Sequence, residues 1–539
     1  MSTQKAYQAC RACRRLKRKC SKDLPSCSLC VRLRKNCEYP ETAISEVSTQ
    51  TTDGRLRHLE QLLNVGNISP SRTLETPVPG FFPSLPGPAQ PFPLSFFLDT
   101  DFFTPIRENA LAQCPQSPVH QMASDHVEQS LASTCEAYFE SFTWLPMISK
   151  KRLRHALSSS FSDDACLMLL VLCMELCTQD TGSQPMESPL YSKARTLCSA
   201  SELGGFVSLR LLQSLVLLAV YELSHGIYPA AYLTISRAAR LGILMGLHDR
   251  KSTPQLFKPA ETWTLREEQR RTWWAIFLLD RHINIENCGV PFAAPEPSPS
   301  DLLPANDEDW ENGSVVPSES LYTKSFSSVT TVGPFAQTCQ SAHMLSKVMR
   351  HREARASSQD VAELLPEAQH LHQALSALHL SIDGFGIDGD PAGTLESSKL
   401  PALSICCSAR LLLYNQYACN EPMGHSVQGP IALETEMQKV SLDGIRAITS
   451  STARLIARDA TCCPLVARFL YHAATECAWF INEDYEQIMY DALEEIIGSL
   501  GRLREHWKVA DEHWLTGAYT GDEVTNPCQR AISLAVGAG

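Results

Sequence analysis

Long apolar runs are missing from this 539-residue chain. The two most apolar stretches, Cys166–Leu176 and Leu211–Leu223, are shorter than the roughly 20 residues that cross a bilayer, so we interpret both as core helices. The first residues, MSTQKAYQAC, also lack the apolar segment of a secretory signal. We therefore expect a protein of a reducing compartment, without a membrane partner, whose 21 cysteines do not form a disulfide framework.

Signatures of catalysis are also absent. The chain has no metal-ligating histidine pair, no G-x-S-x-G nucleophile elbow and no glycine-rich phosphate loop after a strand. We therefore expect no catalytic residues and no enzyme activity. All-α enzymes exist, so an enzyme that merely carries a metal module stays open as an alternative.

Charge is divided sharply between the start of the chain and the rest. Residues 1–40 hold eleven Lys or Arg side chains against two acids, a net charge of +9. Because the whole chain carries −12, the remaining residues carry −21. We call residues 1–40 the basic head and the remaining residues the acidic body. This division of charge indicates that the basic head binds a polyanion and that the acidic body does not.

Six cysteines lie within this basic head, at the spacing C-x2-C-x6-C-x6-C-x2-C-x6-C. They are Cys10, Cys13, Cys20, Cys27, Cys30 and Cys37. Zinc prefers four ligands in a tetrahedron, so six thiolates serve two zinc ions only if two of them are shared. A disulfide module needs an oxidising compartment, a mixed Cys and His finger needs histidines that residues 1–57 lack, and a metallothionein has no large helical body. The count favours a zinc-folded cluster.

The segment between Cys13 and Cys20 reads RRLKRK, with five cationic side chains out of six. Such a run is often a solvated surface or a nuclear import signal. Here metal ligands would anchor it at both ends, and neutralised phosphates release counterions when a basic segment binds DNA. We predict that this segment contacts double-stranded DNA.

Residues 10–37, CRACRRLKRKCSKDLPSCSLCVRLRKNC, resemble the fungal zinc binuclear cluster family of transcription factors. The resemblance implies a role for each thiolate: Cys10 and Cys27 bridge the two zinc ions, Cys13 and Cys20 complete one site, and Cys30 and Cys37 complete the other. It also implies that Pro25 lies in the loop that joins the two halves of the cluster.

Members of this family read CGG triplets in the major groove with the end of their first short helix. Lys17 matches the base-contacting lysine, and a lysine can donate hydrogen bonds to O6 and N7 of guanine. Arg14, Lys19 and Lys22 match phosphate-contacting positions. The candidate DNA-binding residues are therefore Arg14, Arg15, Lys17, Arg18, Lys19 and Lys22. One departure is Leu16, where the family often has a basic residue, which leaves the reading of one base pair open.

The rest of the chain divides by composition. We predict a zinc cluster domain at 1–40, a linker at 41–54, a short coiled-coil candidate at 55–64, a Pro-rich linker at 65–120, an all-helical regulatory domain at 121–520 and a tail at 521–539. Leu56, Leu59 and Leu63 fit alternating core positions of a coiled coil, which predicts a homodimer. The coil is under two heptads long, so an ordinary amphipathic turn and a monomeric reader remain alternatives.

The body favours an all-α fold. Apolar residues at helical spacing predict helices at 127–142, 205–224, 229–247, 264–285, 401–420, 436–458, 462–482 and 484–507, in addition to the core helix at Cys166–Leu176. Segments within 125–310, including residues 221–248 and 267–283, resemble the fungal-specific transcription factor domain, which implies a helical regulatory domain. Trp273 and Trp274 are expected in the core, Arg270 and Arg271 beside Glu267, and the cysteine pair Cys406–Cys407 as small buried side chains.

These observations predict a nuclear, sequence-specific regulator of RNA polymerase II genes that recruits co-regulators. Regulators of the architecture that it resembles often control metabolic or secondary-metabolite genes, which makes such a pathway a candidate target. A zinc- or redox-responsive sensor, whose cluster controls DNA binding, is the alternative. Residues 95–103, SFFLDTDFF, are either an acidic and aromatic activation segment or a strip that packs on the body.

Overall fold

A computed structural model describes residues 10, 20–32, 36–38, 125–159, 165–179, 184–203, 207–249, 260, 262–322, 332–357, 362–383, 397–418, 430–456, 463–484, 487–504 and 506–510. The sequence predictions for residues 41–120 and for the tail lie outside these ranges. The chain separates into two units, an N-terminal one and one that begins after residue 81, and each is described by itself.

The N-terminal unit contains one short helix within its described residues, α1 (Ser28–Arg32). The body contains fourteen α-helices within its described residues: α2 (Asp125–Ser141), α3 (Lys150–Ser159), α4 (Ala165–Thr178), α5 (Pro189–Leu203), α6 (Leu209–Ser224), α7 (Ala230–Leu244), α8 (Trp263–Ile283), α9 (Asp307–Asn312), α10 (Pro334–Ser357), α11 (Leu365–Asp383), α12 (Leu400–Asn415), α13 (Pro430–Ile456), α14 (Leu465–Asp484) and α15 (Gln487–Leu503). Within the described body, β-type pairing is confined to one isolated bridge between Leu302 and Ser320. The predicted all-α fold is confirmed.

Helix α6 lies at the centre of the first half of the body. Every residue from Leu211 to Ser224 is buried, and the helix packs against α4, α7 and α8. Its N-terminus is capped by Ser208, whose hydroxyl accepts a hydrogen bond from the Leu211 amide at 3.1 Å. In the second half, α10 packs on α12 and α14 packs on α15.

The two apolar runs are core helices, as the sequence predicts, since they form most of α4 and α6. No helix among the described residues is long and apolar enough to span a bilayer. Five helices, α3, α5, α9, α10 and α11, lie outside the predicted ranges, because polar and small residues dilute their apolar spacing.

Helix α8 uses a buried arginine to hold the chain that follows it. The Arg271 guanidinium pairs with Glu267 (Nε to Oε1, 3.1 Å) and Asp307 (Nη1 to Oδ1, 2.7 Å) and donates to the Ala305 carbonyl at 2.7 Å. Arg270 also pairs with Glu267. The predicted pairing of both arginines with Glu267 is confirmed.

A second buried arginine, Arg281, makes a similar set of contacts near the C-terminal end of the same helix. Its guanidinium pairs with Asp280 at 2.5 Å and Glu296 at 3.0 Å, and it donates to the Ala294 carbonyl at 2.8 Å. Asp280 accepts hydrogen bonds from the Ala294 amide at 3.0 Å. Buried charges are tolerated only when paired and hydrogen-bonded, so these contacts fix the extended segment that follows α8.

The expected core residues lie where the sequence predicts. Trp274 is buried and its indole N–H donates to the Leu302 carbonyl at 3.0 Å, while Trp273 is half-buried against the same core. Cys406 and Cys407 are both fully buried in α12. These residues belong to the core of the body.

Candidate metal centre and nucleic-acid interface

Four cysteines of the N-terminal unit meet in space. The sulfur atoms of Cys10, Cys27, Cys30 and Cys37 all lie within 4.8 Å of one another. The Cys10 sulfur is 3.8 Å from that of Cys27 and 3.6 Å from that of Cys30. Residues that are up to 27 positions apart in the chain thus present four thiols to one point.

The short helix α1 explains part of this convergence. Cys27 directly precedes the helix and Cys30 lies in it, so a three-residue spacing brings both sulfurs to one side of a helical turn. The Val31 amide donates to the Cys27 carbonyl at 3.0 Å, which closes that turn.

Backbone amides point at two of the four sulfurs. The Cys30 amide lies 3.4 Å from the Cys27 sulfur, and the Cys27 amide lies 3.2 Å from the Cys37 sulfur. Such N–H donors stabilise the negative charge of a thiolate, which is the form that binds metal. Both amides are therefore placed to donate hydrogen bonds to a metal-bound thiolate.

The four thiols fit a zinc ion. Zinc bound to four thiolates has Zn–S bonds of about 2.3 Å, which places tetrahedral sulfurs about 3.8 Å apart. The observed sulfur separations match this spacing, and no disulfide joins the described cysteines. Zinc at such a closed site would supply folding energy, since the only buried side chains of the described module are three cysteines.

The other two predicted ligands differ from these four. Cys20 is half-buried and packs against the buried cysteines, but its sulfur is not a member of the four-thiol group. Cys13 lies outside the described residues. The described residues thus account for one four-thiol group, which has the membership that the family resemblance implies for the second zinc.

Of the predicted DNA-binding residues, the structure describes only Lys22. Its backbone adopts the left-handed conformation, with φ of 63°, shortly before the loop that contains Pro25. Arg14, Arg15, Lys17, Arg18 and Lys19 lie outside the described residues, as do Leu56, Leu59 and Leu63.

A thiol-rich metal module preceding a separate helical body is the organisation of a zinc-containing DNA-binding transcription regulator. Family comparisons match both parts: residues 8–43 match the fungal Zn(2)-Cys(6) binuclear cluster domain, and residues 135–386 match the fungal specific transcription factor domain. The second match extends well beyond residue 310, where the sequence resemblance ended.

Individual relatives agree with these matches. The chain is 40% identical over 141 residues to transcription factor BOA15 of Botryotinia fuckeliana, an alignment that covers 26% of this chain and 78% of that protein. It is 22% identical over 415 residues to the citrinin biosynthesis transcriptional activator mrl3 of Monascus ruber, covering 69% of this chain and 78% of the relative. It is 23% identical over 359 residues to the depudecin biosynthesis cluster-specific transcription activator DEP6 of Fusarium langsethiae, covering 52% and 56%.

The chain therefore belongs to the fungal zinc binuclear cluster transcription factors that carry a fungal-specific transcription factor domain. It is a zinc- and DNA-binding regulator of transcription and not an enzyme.

Proposed function

We propose that this protein is a nuclear, sequence-specific regulator of RNA polymerase II genes that reads CGG-type triplets in the major groove. The observation that carries the proposal is the four-thiol group, because a metal held there joins Cys10, which precedes the basic segment RRLKRK, to Cys27, Cys30 and Cys37, which follow it. The domain boundaries stated above, from the zinc cluster at 1–40 to the helical domain at 121–520, are part of this proposal.

The cluster is proposed to hold two zinc ions through six thiolates. Cys10 and Cys27 would be shared, Cys13 and Cys20 would complete one site, and Cys30 and Cys37 would complete the other. The sulfur separations of 3.6 and 3.8 Å around Cys10 support its central position. Six ligands serve two tetrahedral metals only through such sharing.

DNA recognition is proposed to divide between base and phosphate contacts. Lys17 would donate to guanine in the major groove, where the acceptors O6 and N7 identify that base. Arg14, Lys19 and Lys22 would contact phosphates, which position the protein without reading sequence. Arg15 and Arg18 would add to the same basic surface.

Two copies are proposed to bind one DNA site. Leu56, Leu59 and Leu63 would form a short coiled coil, and the linker at 41–54 would set the spacing of the two half-sites. Because so short a coil is marginal alone, DNA binding and pairing would support each other.

The target is proposed to be a secondary-metabolite pathway, with co-regulators of transcription as further partners. Relatives that align over much of the chain are named as activators of citrinin and depudecin biosynthesis. Both names describe pathway-specific control, which supports a similar role here.

The test is a titration of the full-length protein against duplexes that carry paired CGG triplets at varied spacing and orientation. We expect tight binding to one arrangement, lost on zinc chelation. Lys17→Ala should lower affinity for that duplex by about 1–3 kcal/mol and relax its specificity. Lys35→Ala, a matched change elsewhere in the basic head, should weaken all duplexes evenly. Equal binding to every duplex, or binding that survives chelation, would refute the proposal.

A further inference from the structure

A cavity of about 250 Å³ lies in the first half of the helical body. Helices α3, α4, α6 and α8 all contribute to its walls, and the apolar part of the wall includes Ile148, Leu153, Leu170 and Leu209. In another protein, an engineered apolar cavity of about 150 Å³ is large enough to bind benzene. The space here is therefore sufficient for a compact guest of roughly two fused rings.

The charged side chains of the lining are already engaged by the protein. Glu268 accepts a hydrogen bond from the Ser149 amide at 3.0 Å through Oε1 and pairs with Arg152 through Oε2. Arg210, the remaining charged residue of the lining, also interacts with another group of the protein. An ionic guest would therefore find no free counter-charge, and burying an unpaired charge is costly. The lining favours a neutral guest.

The side-chain amide of Gln213, which also lines the cavity, has a fixed orientation. Its Nε2 lies 3.2 Å from the Met147 carbonyl oxygen, 3.3 Å from Oε1 of Glu268 and 3.4 Å from Oγ1 of Thr272. The Thr272 hydroxyl itself donates to the Glu268 carbonyl at 2.8 Å, so all three neighbours of the nitrogen act as acceptors. They hold the NH₂ group of the amide toward themselves and leave the carbonyl oxygen pointing away.

The carbonyl oxygen of Gln213 is available to a guest. The residue is only 1% exposed, and among the residues that the structure describes no donor hydrogen-bonds to this oxygen. Leaving a buried acceptor without a donor costs free energy, which a hydrogen bond from a guest recovers. The cavity thus combines an apolar wall with one acceptor for a hydroxyl group, which is the usual form of a small-molecule site.

We propose that this cavity binds a small neutral phenol or alcohol of about two fused rings, whose O–H donates to Oε1 of Gln213 while its rings lie against Leu153, Leu170 and Leu209. The site lies in the body and its occupancy does not depend on DNA reading, so it goes beyond the function proposed above. Because the ligand would contact several helices at once, binding stabilises the body increasingly as the ligand concentration rises.

The experiment uses the full-length protein at neutral pH with naphthol as the probe, followed by calorimetry and by the thermal unfolding of the body. We expect saturable binding and a raised melting temperature. Methoxynaphthalene has the same rings but no hydroxyl hydrogen, and it should bind roughly two- to tenfold more weakly because one hydrogen bond is lost. Naphthoate, which carries a charge, should bind at least about tenfold more weakly than naphthol.

Variants locate the site. Gln213→Met keeps the length of the side chain and removes the acceptor, so it should weaken naphthol binding roughly two- to tenfold. Gln337→Met makes the same change at a buried glutamine of α10 outside the cavity and is its control. Leu209→Trp, at a half-buried wall position, should abolish binding by filling the space. Leu233→Trp, at an exposed position of α7, is the control for that change, and both controls should bind as the natural chain does.

Several results would overturn the proposal. These are no saturable naphthol binding, binding of methoxynaphthalene or naphthoate as tight as that of naphthol, or unchanged naphthol affinity in folded Leu209→Trp or Gln213→Met. If Gln213→Met does not fold, the comparison of naphthol with methoxynaphthalene tests the hydrogen bond in the natural chain. All of these readouts are independent of DNA, so failure here is distinguishable from failure of the CGG proposal.

Discussion

The zinc module and the helical body bury their chains in different ways. The described residues of the module bury three side chains, all of them cysteines, whereas the body buries a continuous apolar core that includes nearly all of α6. A segment as short and polar as the module cannot fold on its own core, so a metal must supply the stability that apolar burial supplies in the body.

Cysteine shows the difference most directly, because both regions use it. In the module, four cysteine sulfurs converge and backbone amides point at two of them. In the body, burial raises the pKa of Cys407 to about 12, so its thiol stays protonated and behaves as a small hydrophobe. One residue type thus serves as a metal ligand in one region and as core filling in the other.

Replacing one cysteine in each region gives the largest contrast. Cys27→Ala removes a ligand from a zinc cluster whose metal binding is worth roughly 10–16 kcal/mol, so zinc content should fall and specific DNA binding should vanish. Cys406→Ala, equally buried at 0% exposure, should cost about 1 kcal/mol of body stability and leave zinc and DNA binding unchanged. Elemental analysis measures the zinc content of each variant, and titration measures its DNA binding. Equal effects of the two changes would contradict the difference between the zinc module and the helical body.

Removing a buried arginine should damage the body alone. Arg271→Gln removes one of the two arginine partners of the buried Glu267 and also the partner of Asp307, so it should destabilise the body by about 3–5 kcal/mol. Denaturant unfolding followed by tryptophan fluorescence measures the change. The exposed Arg240→Gln should stay within about 0.5 kcal/mol of the natural chain. A loss of zinc in Arg271→Gln would contradict the independence of the two regions.

Acid should weaken the body through Glu296. Burial raises the pKa of its carboxyl, but the contact with His343, the hydrogen bond from Ser346 and the charge of Arg281 outweigh burial and lower the pKa from 4.5 to about 2. Because the folded pKa is depressed, the stabilisation is present above pH 4.5 and is lost as the pH falls toward 2, by on the order of 3 kcal/mol.

The matched variant for this effect is Glu296→Gln. It should be less stable than the natural chain at neutral pH and should lose less stability over the acid window. Unfolding free energies measured from pH 7 down to pH 2 by circular dichroism would show this; parallel curves for the two proteins would assign the acid sensitivity to other groups.

The smallest expected effect comes from two helix glycines. A Cβ at Gly444 in α13 would lie 2.9 Å from Cζ of Tyr414, whose hydroxyl is held by His372 at 2.8 Å and by Arg410 at 3.2 Å. Gly444→Ala should therefore destabilise the body by about 1–3 kcal/mol. Gly501→Ala in α15 meets nothing within 4 Å and should stabilise it by about 0.5–1 kcal/mol. Thermal unfolding measures the stability of both variants. If both changes stabilise the body, or both destabilise it, the packing argument is refuted.

Prediction from the sequence succeeded where the interacting residues lie close together in the chain. Glu267 and Arg271 are four residues apart on one helix, and the apolar runs in α4 and α6 contain few polar residues. The cysteine spacing indicated zinc because thiolate number and geometry limit which metal sites are possible.

Prediction failed where contacts join distant segments. Arg281 pairs with Glu296 across an irregular stretch with no periodic pattern, so nothing in the spacing indicated this partner. Helix α10 was missed because its inward side carries Cys339, Ser341, Ala342, His343 and Ser346, which are buried but only weakly apolar. Tertiary packing overrides local preference at such positions.

The sequence by itself determined that this protein has a basic, zinc-folded head and an all-helical acidic body, because ligand count, charge and apolar periodicity are properties of short stretches of chain. Only the tertiary structure decided which four thiols meet and which carboxylates neutralise Arg271 and Arg281. Those features depend on residues far apart in the chain, whose distances are set by how the helices pack together.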